Sequence, residues 1–152
     1  MKYGKELLAY CGLYCGDCAG YSGEIAKSAI YLQNLLSKYH FDITAKHYFS
    51  KDLKEYNKFT NMLQFITTLK CEKVCRKKTD HDTKCKIRKC CIDKGFFACY
   101  ECNNYKGCEN LKSQEKAHGD SCLKNFQAIK EMGIDNWVKT GKRYWFGSKF
   151  AL

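Results

Sequence analysis

The cysteines of this chain lie in two groups, and their spacing constrains how the chain can fold. Three open the chain in the run Cys11-Gly-Leu-Tyr-Cys15-Gly-Asp-Cys18, and eight more fall in the 38 residues from Cys71 to Cys108. Two cysteines separated by roughly two to four residues can bind one ion through their thiolates, and such pairs recur in zinc and iron-sulfur sites. The spacing therefore predicts loops that are tied together by metal.

The beginning of the chain decides how the cysteines are interpreted. Twelve cysteines in 152 residues would indicate disulfides in a secreted protein. Residues 1–8 contain no sustained apolar stretch of the kind a signal peptide needs, and no run of about 18 apolar residues occurs in the sequence. We therefore expect a cytoplasmic protein without a membrane span, in which the cysteines bind metal or act as redox thiols.

The chain is strongly basic, with a formal net charge of +11. That sum counts every cysteine as neutral, whereas a metal-bound cysteine is a thiolate, so part of the lysine excess would offset sulfur charge. Only three of the 27 basic residues are arginines, and arginine is the residue that best recognises phosphates and bases through paired hydrogen bonds. A solvated lysine surface is the favoured interpretation, and nucleic-acid binding is the alternative.

The apolar periodicity between the two cysteine groups predicts two amphipathic helices. The first is marked by apolar residues in steps of four and three, namely Ile25, Ala29, Leu32, Leu36 and Tyr39. The second begins after Ser50 as its N-cap and carries the apolar residues Leu53, Tyr56, Phe59, Leu63 and Ile66. The aromatic stripe formed by Tyr56, Phe59 and Phe65 is expected in the core. A hairpin of these helices would bring the two cysteine groups together.

Residues 71–84 are charged and lack a helical period, which predicts a loop. Residues 86–94 then predict a short helix that contains Cys90 and ends at Gly95, because glycine adopts the left-handed conformation that follows many helices. No strand alternation, internal repeat or linker appears in the sequence. The predicted fold is therefore mainly α, a small single domain over residues 1–152 with cysteine-rich metal-binding loops.

Two further helices are predicted near the end of the chain. One is capped by Ser121 and stopped by Gly133, and the next is a short helix that is capped by Asp135 and carries Trp137. The aromatic run of residues 144–146 follows them. We expect it to dock on the core, and a surface for a protein partner is the alternative.

Ten cysteines have the spacing of metal ligands. They are Cys11, Cys15, Cys18, Cys71, Cys75, Cys85, Cys90, Cys99, Cys102 and Cys108. A plausible four-thiolate site combines the pair Cys85 and Cys90 with the pair Cys99 and Cys102. Ten ligands exceed two four-coordinate sites, however, so the spacing leaves their partition open.

The remaining candidates are less constrained by spacing. Cys91 and Cys122 lie outside the pair spacings, and we expect both to be buried free cysteines. His81 lies between Cys75 and Cys85 and is an alternative nitrogen ligand, although an ordinary surface histidine is the favoured interpretation.

No set of catalytic residues is evident. The spacing of Cys11, Cys15 and Cys18 is also that of radical S-adenosylmethionine enzymes, but these need a barrel of alternating strands and helices with about 200 residues or more. The pair Cys99 and Cys102 lacks the preceding strand of a thioredoxin-like site. Phosphate-binding loops, nucleophile elbows and H-E-x-x-H motifs are also absent from the sequence. A role without catalysis is therefore favoured.

The cysteine motifs in combination resemble those of a prokaryotic family called domain of unknown function 3795. The resemblance covers about residues 7 to 140. It rests on the N-terminal run together with Cys85-Lys-Ile-Arg-Lys-Cys90, Lys94-Gly95, Cys99-Tyr-Glu-Cys102, Tyr105-Lys-Gly-Cys108 and Gly133-Ile-Asp-Asn-Trp137. The resemblance implies metal binding, with zinc as the metal, and no established activity.

The resemblance also implies which residues are functional. The matching positions are Cys11, Cys15, Cys18, Cys85, Cys90, Cys99, Cys102 and Cys108, while Cys71 and Cys75 match a pair that the family usually spaces one residue closer. Arg88 matches as well, and it would donate hydrogen bonds to thiolate sulfur. Gly107 stands where the family commonly has proline.

Taken together, the sequence predicts a cytosolic protein in which thiolates hold one or two zinc ions. The predicted role is structural, or lies in binding an unidentified protein partner. An iron-sulfur redox carrier or sensor is the alternative, and a nucleic-acid-binding zinc protein is the second alternative.

Overall fold

The structure is a computed structural model that describes residues 4–79, 81 and 84–146. This part of the chain contains nine α-helices and five short 3₁₀ turns, and its β-structure is limited to a bridge between Leu8 and Tyr14. The predicted mainly α fold is therefore confirmed. None of the described helices is long and apolar enough to cross a membrane.

The described residues form two compact units. The helical unit is Ala19–Glu72, and the cysteine unit combines the described residues of Met1–Cys18 and Lys73–Leu152. The N-terminal cysteines and those from Cys75 onward thus belong to one unit, as the hairpin expectation requires. The single domain over residues 1–152 stays a prediction.

The helical unit consists of α1 (Ala19–Ser22), α2 (Glu24–Lys38), α3 (Phe41–Tyr48) and α4 (Tyr56–Ile66). Helix α2 contacts both α3 and α4. The buried apolar residues of these helices are mostly small, namely Ala26, Ala29, Ala45 and Leu63. Because alanine allows close approach of helix backbones, these helices meet with few large side chains between them.

Two predictions for the helical unit are wrong in detail. The second predicted helix starts at Tyr56 rather than after Ser50, since turns occupy the residues between them. The sequence did not indicate α3, which begins after His40, a residue in the left-handed conformation with φ of 47°. That conformation breaks the chain after α2 and starts a new helix at once.

The side of α2 and α4 that is buried also differs from the prediction. Within the predicted stripe of α2, Ala29 is buried, whereas Ile25, Leu32 and Tyr39 are exposed. Phe59 and Phe65 of α4, expected in the core, are exposed as well. The helices pack through their small residues instead, so the large apolar residues remain outside this contact.

The cysteine unit contains α5 (Lys86–Asp93), α6 (Glu109–Lys112), α7 (Glu115–His118), α8 (Ser121–Met132) and α9 (Ile134–Thr140). The predicted helix before Gly95 is confirmed, and Gly95 has φ of 66°. The N-caps of α8 and α9 are Asp120 and Gly133, each one or two residues before the predicted caps Ser121 and Asp135.

Aromatic side chains fill the core of the cysteine unit. The rings of Tyr14 and Trp137 meet edge to face with centroids 5.8 Å apart, and Tyr105 meets Phe126 in the same way at 5.5 Å. Such pairs add about 0.5–1.5 kcal/mol to the energy of burial. Trp145 packs against this core, as predicted for residues 144–146, whereas Phe146 is exposed.

Candidate metal centre

The two C-x2-C pairs form the same local structure. Cys15–Asp17 and Cys99–Glu101 are 3₁₀ turns, and the next residue in each case is the second cysteine of the pair. The N–H of Cys18 donates to the carbonyl of Cys15 at 3.1 Å, and the N–H of Cys102 donates to that of Cys99 at 3.0 Å. Residues three apart are aligned in a 3₁₀ turn, so each turn brings its two cysteines to one side.

Five cysteines of the cysteine unit line one cavity of about 310 Å³. They come from three neighbouring segments, which are α5, the turn at Cys99 and the start of α6, and they are Cys90, Cys91, Cys99, Cys102 and Cys108. Phe96 and Tyr105 form apolar parts of the wall, and Lys94 and Glu109 are its charged residues. We call this space the thiol cavity.

Two thiols of the cavity are in direct contact. The Sγ atoms of Cys91 and Cys99 are 3.4 Å apart, and the two side chains are only 1% and 8% exposed. The hydrogen bond between them raises the pKa of Cys99, which burial raises further, and it lowers the pKa of Cys91. Of the two thiols, Cys91 therefore loses its proton more readily than Cys99.

A second group of thiols lies around Cys15. Burial raises the pKa of Cys15 from 9.0 to about 11, and the thiols of Cys75, Cys18 and Cys11 add to this effect. Burial also raises the pKa of Cys75, with contributions from Cys11 and Cys85. These five cysteines are thus close enough to influence one another, and we call them the N-terminal thiol group.

The structure separates several residues that the sequence left together. Cys85 is the N-cap of α5 and belongs to the N-terminal thiol group, whereas Cys90 lies further along the helix and lines the thiol cavity. Three members of the predicted four-thiolate combination, Cys90, Cys99 and Cys102, thus line the thiol cavity, and Cys85 is not among its lining residues. Cys71 lies in the helical unit, where its N–H donates to the carbonyl of Gly20 at 2.8 Å.

Cys91 and Cys122 are buried, as predicted, but both contact a predicted ligand. Cys91 is hydrogen-bonded to Cys99, and a hydrogen bond with Cys122 is the main reason that the pKa of Cys11 is raised well above its ordinary value. Pair spacing could not reveal these contacts. The nearest sequence signal is that Cys91 lies one helical turn after Ile87, on the buried face of α5.

Histidine contributes little to either thiol group. His81 is exposed on the loop before α5, as favoured from the sequence. His118 lies at the end of α7, where its Nδ1 is 2.8 Å from the carbonyl oxygen of Trp145 and its ring meets the Trp145 ring edge to face. That contact ties the chain after α9 to the end of α7.

Each thiol group has an arginine nearby. Arg88 is 1% exposed, and its charge counteracts the rise in the pKa of Cys75. The guanidinium of Arg76 lies between the rings of Tyr10 and Phe97, and its charge lowers the pKa of Cys91. Burying a guanidinium is costly unless negative charge lies close by, and deprotonated thiols would supply that charge.

The donor set suits a soft metal, since five cysteines line the thiol cavity. Within residues 4–79, 81 and 84–146, no three cysteine, histidine or acidic side chains converge closely enough to hold one ion as they stand. Binding of an ion at the thiol cavity would therefore require cysteine side chains to change their conformation.

We expect the metal-free protein to lose stability as the pH rises from 9.0 towards 11, because burial raises the pKa of Cys15 over that interval. The unfolded chain releases this proton at the lower pH, so alkaline conditions favour unfolding. Urea unfolding of the reduced, metal-free protein measures the effect. The variant Cys15→Ser should show a shallower loss, and an unchanged pH profile in that variant would contradict the assignment.

The fold and the thiol groups define a small helical protein rich in cysteine. Residues 7–113 match the family described as Protein of unknown function (DUF3795), and the chain belongs to this family. The family resemblance seen in the sequence is thus confirmed over most of its extent. Searches among curated proteins and among solved structures found no match.

Proposed function

We propose that the protein binds zinc through the thiol cavity and that the bound ion stabilises the loops around it. The observation that carries this proposal is the convergence of five cysteines from three segments on one cavity of about 310 Å³. Structural zinc sites use four cysteine or histidine ligands in a tetrahedron, and the cavity offers more sulfur atoms than this number.

A zinc ion held by four thiolates has no open coordination position, so it contributes to folding rather than to catalysis. Each thiol that binds the ion releases its proton to solvent, and the remaining protein atoms orient the sulfur atoms. Arg76 supports the thiolate form on one side of the cavity, since its charge lowers the pKa of Cys91. The proposed role is structural, or lies in presenting a surface to a protein partner.

The N-terminal thiol group is the proposed place for a second ion. It combines Cys11, Cys15 and Cys18 with Cys75 and Cys85, and the buried charge of Arg88 lies near Cys75. As the resemblance implies for Arg88, this charge would stabilise the thiolates that an ion requires. All twelve cysteines are free thiols, which fits the reducing conditions of the cytoplasm.

The proposal is tested by purifying the protein without oxygen and measuring zinc, iron and sulfide per chain together with the visible spectrum. We expect a colourless protein with one or two zinc ions. Iron with an equal amount of sulfide, together with a brown colour, would show that the protein holds an iron-sulfur cluster rather than zinc. A colourless protein that contains no metal and takes up none when zinc is added would overturn the proposal.

The size of the thiol cavity favours the iron-sulfur cluster as the second candidate. A volume of about 310 Å³ has room for several water molecules, which is more than one ion needs. Four cysteines hold clusters of two or four irons, and such a protein would be a redox carrier or sensor.

A further inference from the structure

We propose that Cys91, which lies outside every metal-ligand spacing in the sequence, is a ligand in the thiol cavity and shares its ion with Cys99. This inference rests on the proposed function, because it assigns a residue to the same site. It replaces the expectation that Cys91 is a buried free cysteine.

The contact between the two sulfur atoms carries the proposal. Two thiolates on one tetrahedral zinc ion, each at about 2.3 Å from it, lie about 3.8 Å apart. The Sγ atoms of Cys91 and Cys99 are 3.4 Å apart, and both residues line the same cavity. A small rotation of either side chain therefore gives the separation that a shared ion requires.

Backbone hydrogen bonds to different segments hold both cysteines in place. The carbonyl of Cys91 accepts a hydrogen bond from the N–H of Phe96 at 2.8 Å, which fixes the end of α5. The N–H of Cys99 donates to the carbonyl of Tyr10 at 3.0 Å, which fixes the following turn. The pair is thus preorganised, and the remaining ligands come from Cys90, Cys102 and Cys108.

The pair also restricts the kind of metal centre. In a four-iron cluster each cysteine binds a different iron, so the sulfur atoms of two ligands lie far apart. Two ligands in mutual contact suit a single tetrahedral ion or one iron of a two-iron cluster. If the cavity binds a cluster rather than zinc, the Cys91 and Cys99 pair favours the smaller one.

The test compares Cys91→Ser with Cys122→Ser. Both cysteines are buried and both are hydrogen-bonded to another cysteine, but Cys122 does not line the thiol cavity. Each metal-free variant is titrated with cobalt(II) without oxygen, and zinc is then used to displace the cobalt. For Cys91→Ser we expect at least about tenfold weaker binding at the thiol cavity and a weaker sulfur-to-cobalt charge-transfer band. Cys122→Ser disturbs Cys11 of the N-terminal thiol group instead, so it should leave the affinity of the thiol cavity at its native value.

A folded Cys91→Ser protein with native affinity and a native charge-transfer band would overturn the inference. Should that variant fail to fold, the native protein loaded with cadmium-113 gives a separate answer, because ligand cysteines show scalar coupling between the metal and their β-protons. Coupling to both Cys91 and Cys99 is expected. Coupling to Cys99 but not to Cys91 would overturn this inference and leave the proposed function standing. If the native protein binds neither cobalt nor cadmium, both the inference and the proposed function are overturned.

Discussion

The variant Gly12→Ala is expected to lose roughly 3 kcal/mol or more of its free energy of unfolding. Gly12 has φ of 93°, a conformation that side chains other than glycine rarely adopt. A methyl group there would also lie 2.6 Å from Cε1 of Phe126 and 3.1 Å from the carbonyl oxygen of Cys122. Phe126 is fully buried, so neither neighbour can move without disturbing the core.

The matched control for this variant is Gly95→Ala. Gly95 also has positive φ, 66°, but nothing lies within 4 Å of the added methyl group. It therefore isolates the backbone strain, which costs about 1 kcal/mol. Urea unfolding of both metal-free variants gives the comparison, and equal losses would show that the predicted clash at Phe126 does not occur.

The variant Asn125→Ala is expected to cost about 3 kcal/mol or more. The Asn125 side chain is completely buried, and its Nδ2 donates to the carbonyls of Gly12 and Tyr144 at 2.9 and 2.8 Å. Its Oδ1 accepts the N–H of Tyr144 at 2.8 Å. Alanine would leave these backbone groups without their partners and a cavity beside them.

Two further variants test whether the buried hydrogen bonds of Asn125 cause this loss of stability. Asn125→Asp keeps an acceptor for the N–H of Tyr144 but turns a carboxylate oxygen towards two carbonyls, so it should be no more stable than Asn125→Ala. Asn136→Ala removes one hydrogen bond of an exposed asparagine and should change stability by less than about 0.5 kcal/mol. Thermal unfolding measures all three, and a native-like Asn125→Asp protein would contradict the account.

The local structure of the cysteine unit could largely be read from the sequence, because single residues determine it. Gly95 and Gly133 follow helices at the predicted places, and both have positive φ. The helical unit was harder to predict, since the buried side of a helix depends on its partner. In α2 the buried residues are Ala26 and Ala29. The larger apolar residues, from which the buried side was predicted, therefore do not identify it.

In the candidate site, too, the local structure could be predicted from the sequence, whereas contacts between distant residues could not. The C-x2-C spacing predicts two thiols on one side of a turn, and the turns at Cys15 and Cys99 have this form. Spacing says nothing about contacts between distant residues. Cys122 of α8 contacts Cys11, which lies 111 positions earlier in the chain, and Cys91 contacts Cys99 across the end of α5. Both contacts depend on how the helices pack.

The discontinuous make-up of the cysteine unit has a consequence for how the protein is synthesised. Cys18 and Cys75 of the N-terminal thiol group are separated by 56 residues of chain, and the whole helical unit is translated between them. At roughly 5–20 residues per second, several seconds pass before the N-terminal cysteines can meet their later partners. During that interval a nascent chain carries reactive thiols outside any finished site. On the proposed function, metal would therefore be loaded late, and oxidants or other metals would have a brief opportunity to react first.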